Sequence, residues 1–401
     1  TLYSRLTTSI TKDSPAYVLP GGLVNSNMIV TSDTFTETLN SLPKVSEWII
    51  DVETNGLNPY DMNQICGIGL VPVTDSDSQI YYFPFRHQAI YDEPFYKQIP
   101  STKIVKTKND DGEVINQEEV PTTIWTEDTD VVEYNNLSQA QLNELVGFIN
   151  DNCKTLIGYN VKFDAKFLEN EGINVPNMNL VDVLVMVRMT EPTTMNRLSL
   201  TDTIIRSYGE NAGLYDVETK KILRRHSWNK NFAAAPPYYL GPYCVQDVYW
   251  TRKVYQDRLR KLELSKQLDL FRFQNDLTKT LYMMEKRGVL INNKYAKEAY
   301  DKTLIRIDVL KNRIYELVGH EFNISSTAKG AEAWNEEALV RLNSPLAGLI
   351  RQYRALEKIR STYIEPYLEL PVLHTSFNNW GTVTGRLSSS SPNLQNIPRD
   401  T

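Results

Sequence analysis

The sequence predicts an α/β domain followed by a mainly α-helical segment, and three observations carry that reading. Three β-rich runs, "EWIIDVET" (47–54), "QICGIGLVPV" (64–73) and "QIYYFPF" (79–85), follow one another between Gly, Asn, Asp and Pro residues, the punctuation of consecutive strands. From residue 137 helical and extended patterns alternate, which is the order of an α/β layer. After about residue 262 the apolar period becomes helical, the pattern of amphipathic helices around a separate core.

Each element has a local reason. "NMIVTSDTFTETLNSL" reads as a short strand and then a helix opened by a capping box of Thr34 and Glu37. The three runs above form the start of a sheet. In "KIVKTKNDDGEVINQEEV", Asp111-Gly112 separates two alternating segments, a hairpin signal in a polar, exposed insertion. A helix is expected through "LSQAQLNELVGFINDN", a strand at "TLIGYN", a helix from about Phe163, an apolar run at "LVDVLVMV" and a long helix beginning near Pro242. Beyond 262, Leu270, Phe273, Leu277, Leu281 and Met284 recur up to Gly288, and Tyr300, Leu304, Ile307, Leu310, Ile314 and Leu317 up to Gly319. The second run, Asn293 to Val318, makes a helix about 39 Å long at 1.5 Å per residue. The two long helices are expected to pair as an antiparallel arm.

Composition removes several function classes. The net charge of -6 excludes a chain that coats nucleic acid by bulk charge, so any such contact comes from local basic faces. One candidate is "KKILRRHSWNK" (220–230), read as a solvated loop. Cys66, Cys153 and Cys244 lie far apart and the four histidines are scattered, which argues for a reduced, intracellular protein without structural zinc. No segment approaches the 18 or so apolar residues of a membrane span. The chain starts at Thr1, as a processed product or a fragment does.

The chemistry lies in acids. Asp51 and Glu53 in "WIIDVETNG" are two apart on a strand, so both carboxylates leave one face at the strand's end. Paired carboxylates repel unless a cation sits between them; a solvated turn is the plainer alternative. "IGYNVKFDAKFLE" sets Asn160, Phe163 and Asp164 at a strand-to-helix junction, where an acid also serves the helix dipole. In "YCVQDVYWTRKVY", Tyr243 and Asp247 share a helix face at i and i+4.

In this order, "DVET", "NVKFD" and "YCVQD" resemble the three exonuclease motifs of the DEDD superfamily in its tyrosine-bearing branch, as found in the proofreading domain of family A DNA polymerases. The resemblance implies a ribonuclease H-like domain over 1–262, with 101–135 as an inserted hairpin. It implies that Asp51, Glu53, Asp164 and Asp247 hold two divalent cations, Mg²⁺ or Mn²⁺, and that Tyr243 aligns the attacking water. Asp51 would bridge both ions, Glu53 and Asp247 complete the first, and Asp164 serve the second through water. Thr54, Leu57, Asn160 and Phe163 fall where that family contacts the terminal nucleotides.

The resemblance continues. "IRQYRALEKIRSTYIEPYL" is similar to the thumb of family A polymerases, giving a helical thumb over 263–370, and "TSFNNWGTVTGRLSSSSPNLQNIP" is similar to the stretch leading into the palm, here 371–401. It implies Arg386 in the minor groove near the primer terminus, and Asn393, Gln395 and Asn396 beside template and primer. "FNISSTAKGAEAW" departs from the family's usual continuation, and the palm and fingers motifs of nucleotidyl transfer do not occur in these residues. The expectation is therefore a 3′–5′ DNA exonuclease acting on a single-stranded or frayed 3′ end, with primer-template DNA as partner. Palm and fingers are expected from a second polypeptide or a longer chain. The expected setting is the cytoplasm, a host's if the chain is phage-encoded, as the layout without a 5′-nuclease domain resembles phage enzymes. A non-catalytic DNA-binding subunit and an RNA-trimming exonuclease are the rival readings.

Overall fold

The computed structural model describes residues 28–74, 79–88, 95–108, 114–128, 134–191, 197–326, 335–342, 344–379, 381–382 and 384–398. The chain divides into two compact units, one through Tyr282 and the other from Met283.

The first unit begins with α1 (Phe35–Ser41), followed by β1 (Glu47–Thr54), β2 (Ile65–Pro72) and β3 (Tyr81–Pro84). Thr34 does not make the expected capping box; its own backbone is already helical, and its hydroxyl donates to Thr31 O at 3.3 Å instead. The ribbon β4 (Phe95–Lys108) and β5 (Val114–Asp128) pairs antiparallel, with Lys108 opposite Val114. Its Asp111-Gly112 turn lies outside the described residues. There follow α2 (Gln139–Asn152), β6 (Thr155–Gly158), α3 (Lys162–Asn170), β7 (Asn179–Asp182), α4 (Val183–Thr190), α5 (Leu200–Tyr208), α6 (Leu214–Arg225), α7 (Pro237–Leu264) and α8 (Leu268–Arg287).

The sheet order is β3-β2-β1-β6-β7. β1 runs antiparallel to β2 and parallel to β6, so it is central and buried on both faces. Its two-residue period sorts its side chains. Trp48, Ile50 and Val52 enter the main core with Leu142, Leu145, Phe167 and Leu168 of the helices on that side, while Ile49, Asp51 and Glu53 point to the opposite face. The second face is covered by α7 and by a smaller cluster containing Cys66, Leu223, Trp228, Tyr239 and Leu240. α7 comes close to β2 at Gly69, the residue opposite Asp51, where a Cβ would stand 2.6 Å from the Cys244 sulfur. Glycine is what permits this approach.

Two expectations need correction. The long helix starts at Pro237 rather than near Pro242, and Pro242 is inside it. Pro237 occupies the first turn, where its missing N–H and fixed φ suit a helix start. The basic run 220–230 is not a loop: α6 extends to Arg225, and Trp228 is buried and stacked on His226 at 4.3 Å. Buried Ile222 and Leu223, with the Lys220–Asp216 and Lys221–Glu218 pairs, make this stretch an amphipathic helix.

The second unit holds α9 (Asn293–Val318), α10 (Glu336–Leu342) and α11 (Pro345–Ile359). Gly288 and Gly319, at φ 68° and 83°, stop α8 and α9 as their positions in the sequence predict. Ile314 of α9 packs with Ile324, Leu339, Ala347 and Ile350, so within this unit α9 packs on α11. Two short antiparallel pairs follow, β8 (Val289–Leu290) with β9 (Val372–Leu373), and β10 (Ser376–Asn378) with β11 (Ser388–Ser390).

Candidate active site

Four carboxylates from three elements meet on the α7 side of the sheet. Asp51 and Glu53 come from the end of β1, where a register shift between Glu53 and Thr54 breaks the ladder with β2, a device that re-aims side chains at a strand end. Asp164 comes from the first turn of α3, and its Oδ1 accepts the Val52 N–H at 3.0 Å, between the two β1 acids in sequence. Asp247 lies in α7, where its Oδ1 accepts the Tyr215 hydroxyl at 2.5 Å.

The turn that delivers Asp164 is built with care. Asn160 has φ 62°, a left-handed conformation that Asn tolerates better than most residues. Asp182, fully buried at the end of β7, holds it there: its Oδ1 accepts Asn160 N–H at 2.9 Å and Leu184 N–H at 3.0 Å, capping α4 at the same time. Burial still pushes the Asp182 carboxyl up to about 6, although these two N–H bonds pull the other way.

The electrostatics are unfavourable by design. Asp51 is raised well above the carboxylate range by burial and then by Asp164, and Glu53 by burial and then by Asp51, Asp247 and Asp164. Asp164 is pushed up to about 8, chiefly by burial. Asp247 is raised by burial and by Asp51, with the hydroxyls of Tyr215 and Tyr243 opposing. Ligand atoms of Asp51, Glu53 and Cys244 lie within 4.8 Å of one another. At that separation two ionised carboxylates repel by about 3 kcal/mol for an effective dielectric of 20, which exceeds what an ordinary ion pair contributes. Only protons or a cation relieve such a cluster.

The residues fit a hard divalent cation. Glu53 Oε1 is buried without a hydrogen-bond partner, an open lone pair facing three other acids. The donor set is carboxylate oxygen, which suits Mg²⁺ or Mn²⁺. Cys244 does not belong to it. Burial and then Asp51 raise its thiol far above the usual range, so the S–H stays protonated and donates to Asp51 Oδ2 at 3.5 Å.

Tyr243 packs beside Tyr215, with ring centroids 6.0 Å apart, and its hydroxyl donates to Asp216 Oδ1 at 3.3 Å. Of the other expected contact residues in this unit, Thr54 is buried and donates to Gly56 O at 2.6 Å, while Leu57, just past the strand's end, is 84% exposed. Phe163 rests on the main core beside Phe167.

Comparison with known proteins adds to this geometry. The family model described as DNA polymerase family A matches residues 327–401. DNA polymerase I of Synechocystis sp. is 29% identical over 312 residues, 68% of this chain and 31% of its own length. That of Treponema pallidum is 25% identical over 377 residues, 87% of this chain and 36% of its own.

The chain is similar to family A DNA polymerases.

The fold agrees: the POL domain of Pol1 from M. smegmatis, in complex with DNA primer-template and dNTP, superposes with a TM-score of 0.58 at 14% identity, over 93% of this chain and 56% of that one. This chain spans about a third of the length of the curated relatives it matches.

The stretch matching the family model ends in a polar loop within the second unit. Asn393 Oδ1 accepts from Ser389 Oγ and Gln395 N–H, both at 3.1 Å, and Gln395 Nε2 donates to Leu387 O at 3.2 Å. Arg386 and Asn396 are exposed. Sequence reasoning missed Tyr215, Asp216 and Asp182. The first two open the helix whose basic end reads as a solvated loop, and Asp182 hides in an apolar run. No helix among the described residues is long and apolar enough to cross a membrane.

Proposed function

We propose that the first unit is the 3′–5′ exonuclease of a family A DNA polymerase, removing nucleotides from the single-stranded or frayed 3′ end of DNA. The observation that carries this reading is the convergence of Asp51, Glu53, Asp164 and Asp247 around the unpartnered Glu53 oxygen. Two bound divalent cations would supply a water made acidic enough to attack the terminal phosphodiester and charge to stabilise its displaced 3′ oxygen. The chain's own residues do the rest. Asp51 and Glu53 present oxygens from one strand face, Asp164 adds its carboxylate, held by β1 through Oδ1, and Asp247 closes the site from α7. Tyr243 orients the attacking water through its hydroxyl. Leu57 wedges and Phe163 stacks against the last bases, and Asn160 and Thr54 contact the sugar, a grip that does not depend on sequence.

The second unit, with Arg386, Asn393, Gln395 and Asn396, is proposed to track primer-template DNA. Polymerisation is proposed only together with palm and fingers, carried by a longer form of the protein or by a second polypeptide.

The test is digestion of 5′-labelled single-stranded DNA with Mg²⁺ or Mn²⁺. A ladder shortening from the 3′ end, lost in Asp51→Ala and Asp247→Ala, is the expected result. Folded, metal-supplied protein that leaves DNA intact would reject the catalytic assignment in favour of a binding subunit; degradation confined to RNA would point to the trimming reading.

A further inference from the structure

Two adjacent residues of α6 grip two residues one turn apart on α7. Tyr215 donates to Asp247 Oδ1 at 2.5 Å, and Asp216 accepts from Tyr243 at 3.3 Å. Asp216 is otherwise engaged: Lys220 sits 2.7 Å from its Oδ1 and Thr201 donates to its Oδ2 at 2.8 Å. Its charge is therefore balanced within the protein, and it is not a fifth ligand. Tyr215 differs. It is a neutral phenol, 6% exposed, whose hydroxyl takes one lone pair of one Asp247 oxygen.

We propose that Tyr215 is a positioning residue for the cation site: its hydroxyl fixes the orientation of the Asp247 carboxylate. This rests on the exonuclease reading above. A carboxylate on a long helix, with Glu53 and Asp51 repelling it, otherwise rotates about its last torsion or swings toward solvent. The phenol removes that freedom without adding charge, as the groups behind metal ligands commonly do. The division of labour between the two tyrosines follows. Tyr215 acts through Asp247 on the cation, and Tyr243 acts on the water.

Mn²⁺ binding to the DNA-free protein, followed by the electron paramagnetic resonance of free Mn²⁺, reads the first role without any turnover. Tyr215→Phe is expected to weaken Mn²⁺ binding about tenfold and to raise the half-activating Mn²⁺ concentration by the same factor, with KM for DNA unchanged. Tyr243→Phe is expected to slow hydrolysis more than it weakens Mn²⁺ binding. Tyr215→Met, which also lacks the hydroxyl, substitutes if the phenylalanine variant does not fold by circular dichroism. Unaltered Mn²⁺ affinity in a folded hydroxyl-free variant overturns the proposal while leaving the exonuclease reading intact. Mn²⁺ binding that depends on Tyr215 and Asp247, in a protein that does not cut DNA, keeps the positioning role and removes the exonuclease reading. A chain with no Asp247-dependent Mn²⁺ binding removes both.

Discussion

The carboxylate cluster of the first unit and the Ser/Asn loop of the second are both dense in polar groups, and they treat those groups in opposite ways. In the loop, Ser389, Asn393 and Gln395 bond to one another and to the backbone, so its polar groups are satisfied within the protein. In the cluster, Asp51, Glu53, Asp164 and Asp247 raise one another's proton affinity and Glu53 keeps a buried oxygen bare. Polar groups that satisfy each other build structure; polar groups left in conflict at a cost in stability mark where a ligand completes the protein.

The comparison breaks most visibly at Glu53. Glu53→Gln is expected to lower exonuclease rate on the order of 10³-fold, yet to raise the melting temperature in EDTA by a few degrees, because removing one charge relieves about 1 kcal/mol or more of repulsion. A fall in melting temperature in EDTA would show that the cluster is structural. His87 offers a buried polar group of the other kind, held between Tyr82 Oη at 2.9 Å and Ala235 O at 2.6 Å. Burial lowers it to about 4, against an unfolded value near 6.5. A depressed histidine costs nothing above the unfolded value; stability then falls as pH drops from about 6.5 to 4, by about 3 kcal/mol in all. Denaturant titrations across that window should show the loss in the parent chain and its absence in His87→Gln.

Asp182 stands between the two kinds, satisfied on one oxygen and bare on the other. Asp182→Ala should cost about 2 kcal/mol by uncapping α4 and stranding the Asn160 N–H, and should slow the proposed exonuclease by freeing the turn that carries Asp164. Equal activity at full stability would deny Asp182 its supporting role. The smallest effect is expected from Asn393→Ala, about 1 kcal/mol from lost loop bonds, read as a small shift in urea midpoint with no change in exonuclease rate.

Much of the site was legible because its signals are periodic. Asp51 and Glu53 share a face by the strand's two-residue alternation, and Tyr243 and Asp247 share one by the helix's four-residue spacing. The strands of the sheet and the glycine stops at 288 and 319 were equally plain. Thr34 misled because its sequence context fits a capping box while its backbone is already helical. Pro242 misled because a proline usually opens a helix, and here Pro237 had already done so.

By itself, the sequence determined which residues carry charge, which faces are apolar and where chain direction changes, since these follow from local sterics and from the periods of helix and strand. Only the tertiary structure decided that Asp182 would hold Asn160 left-handed, that Gly69 would let α7 come down over Asp51, and that Tyr215 would reach Asp247. Each of these joins residues far apart in the chain, and no local period encodes which distant partner a side chain meets once the core has closed.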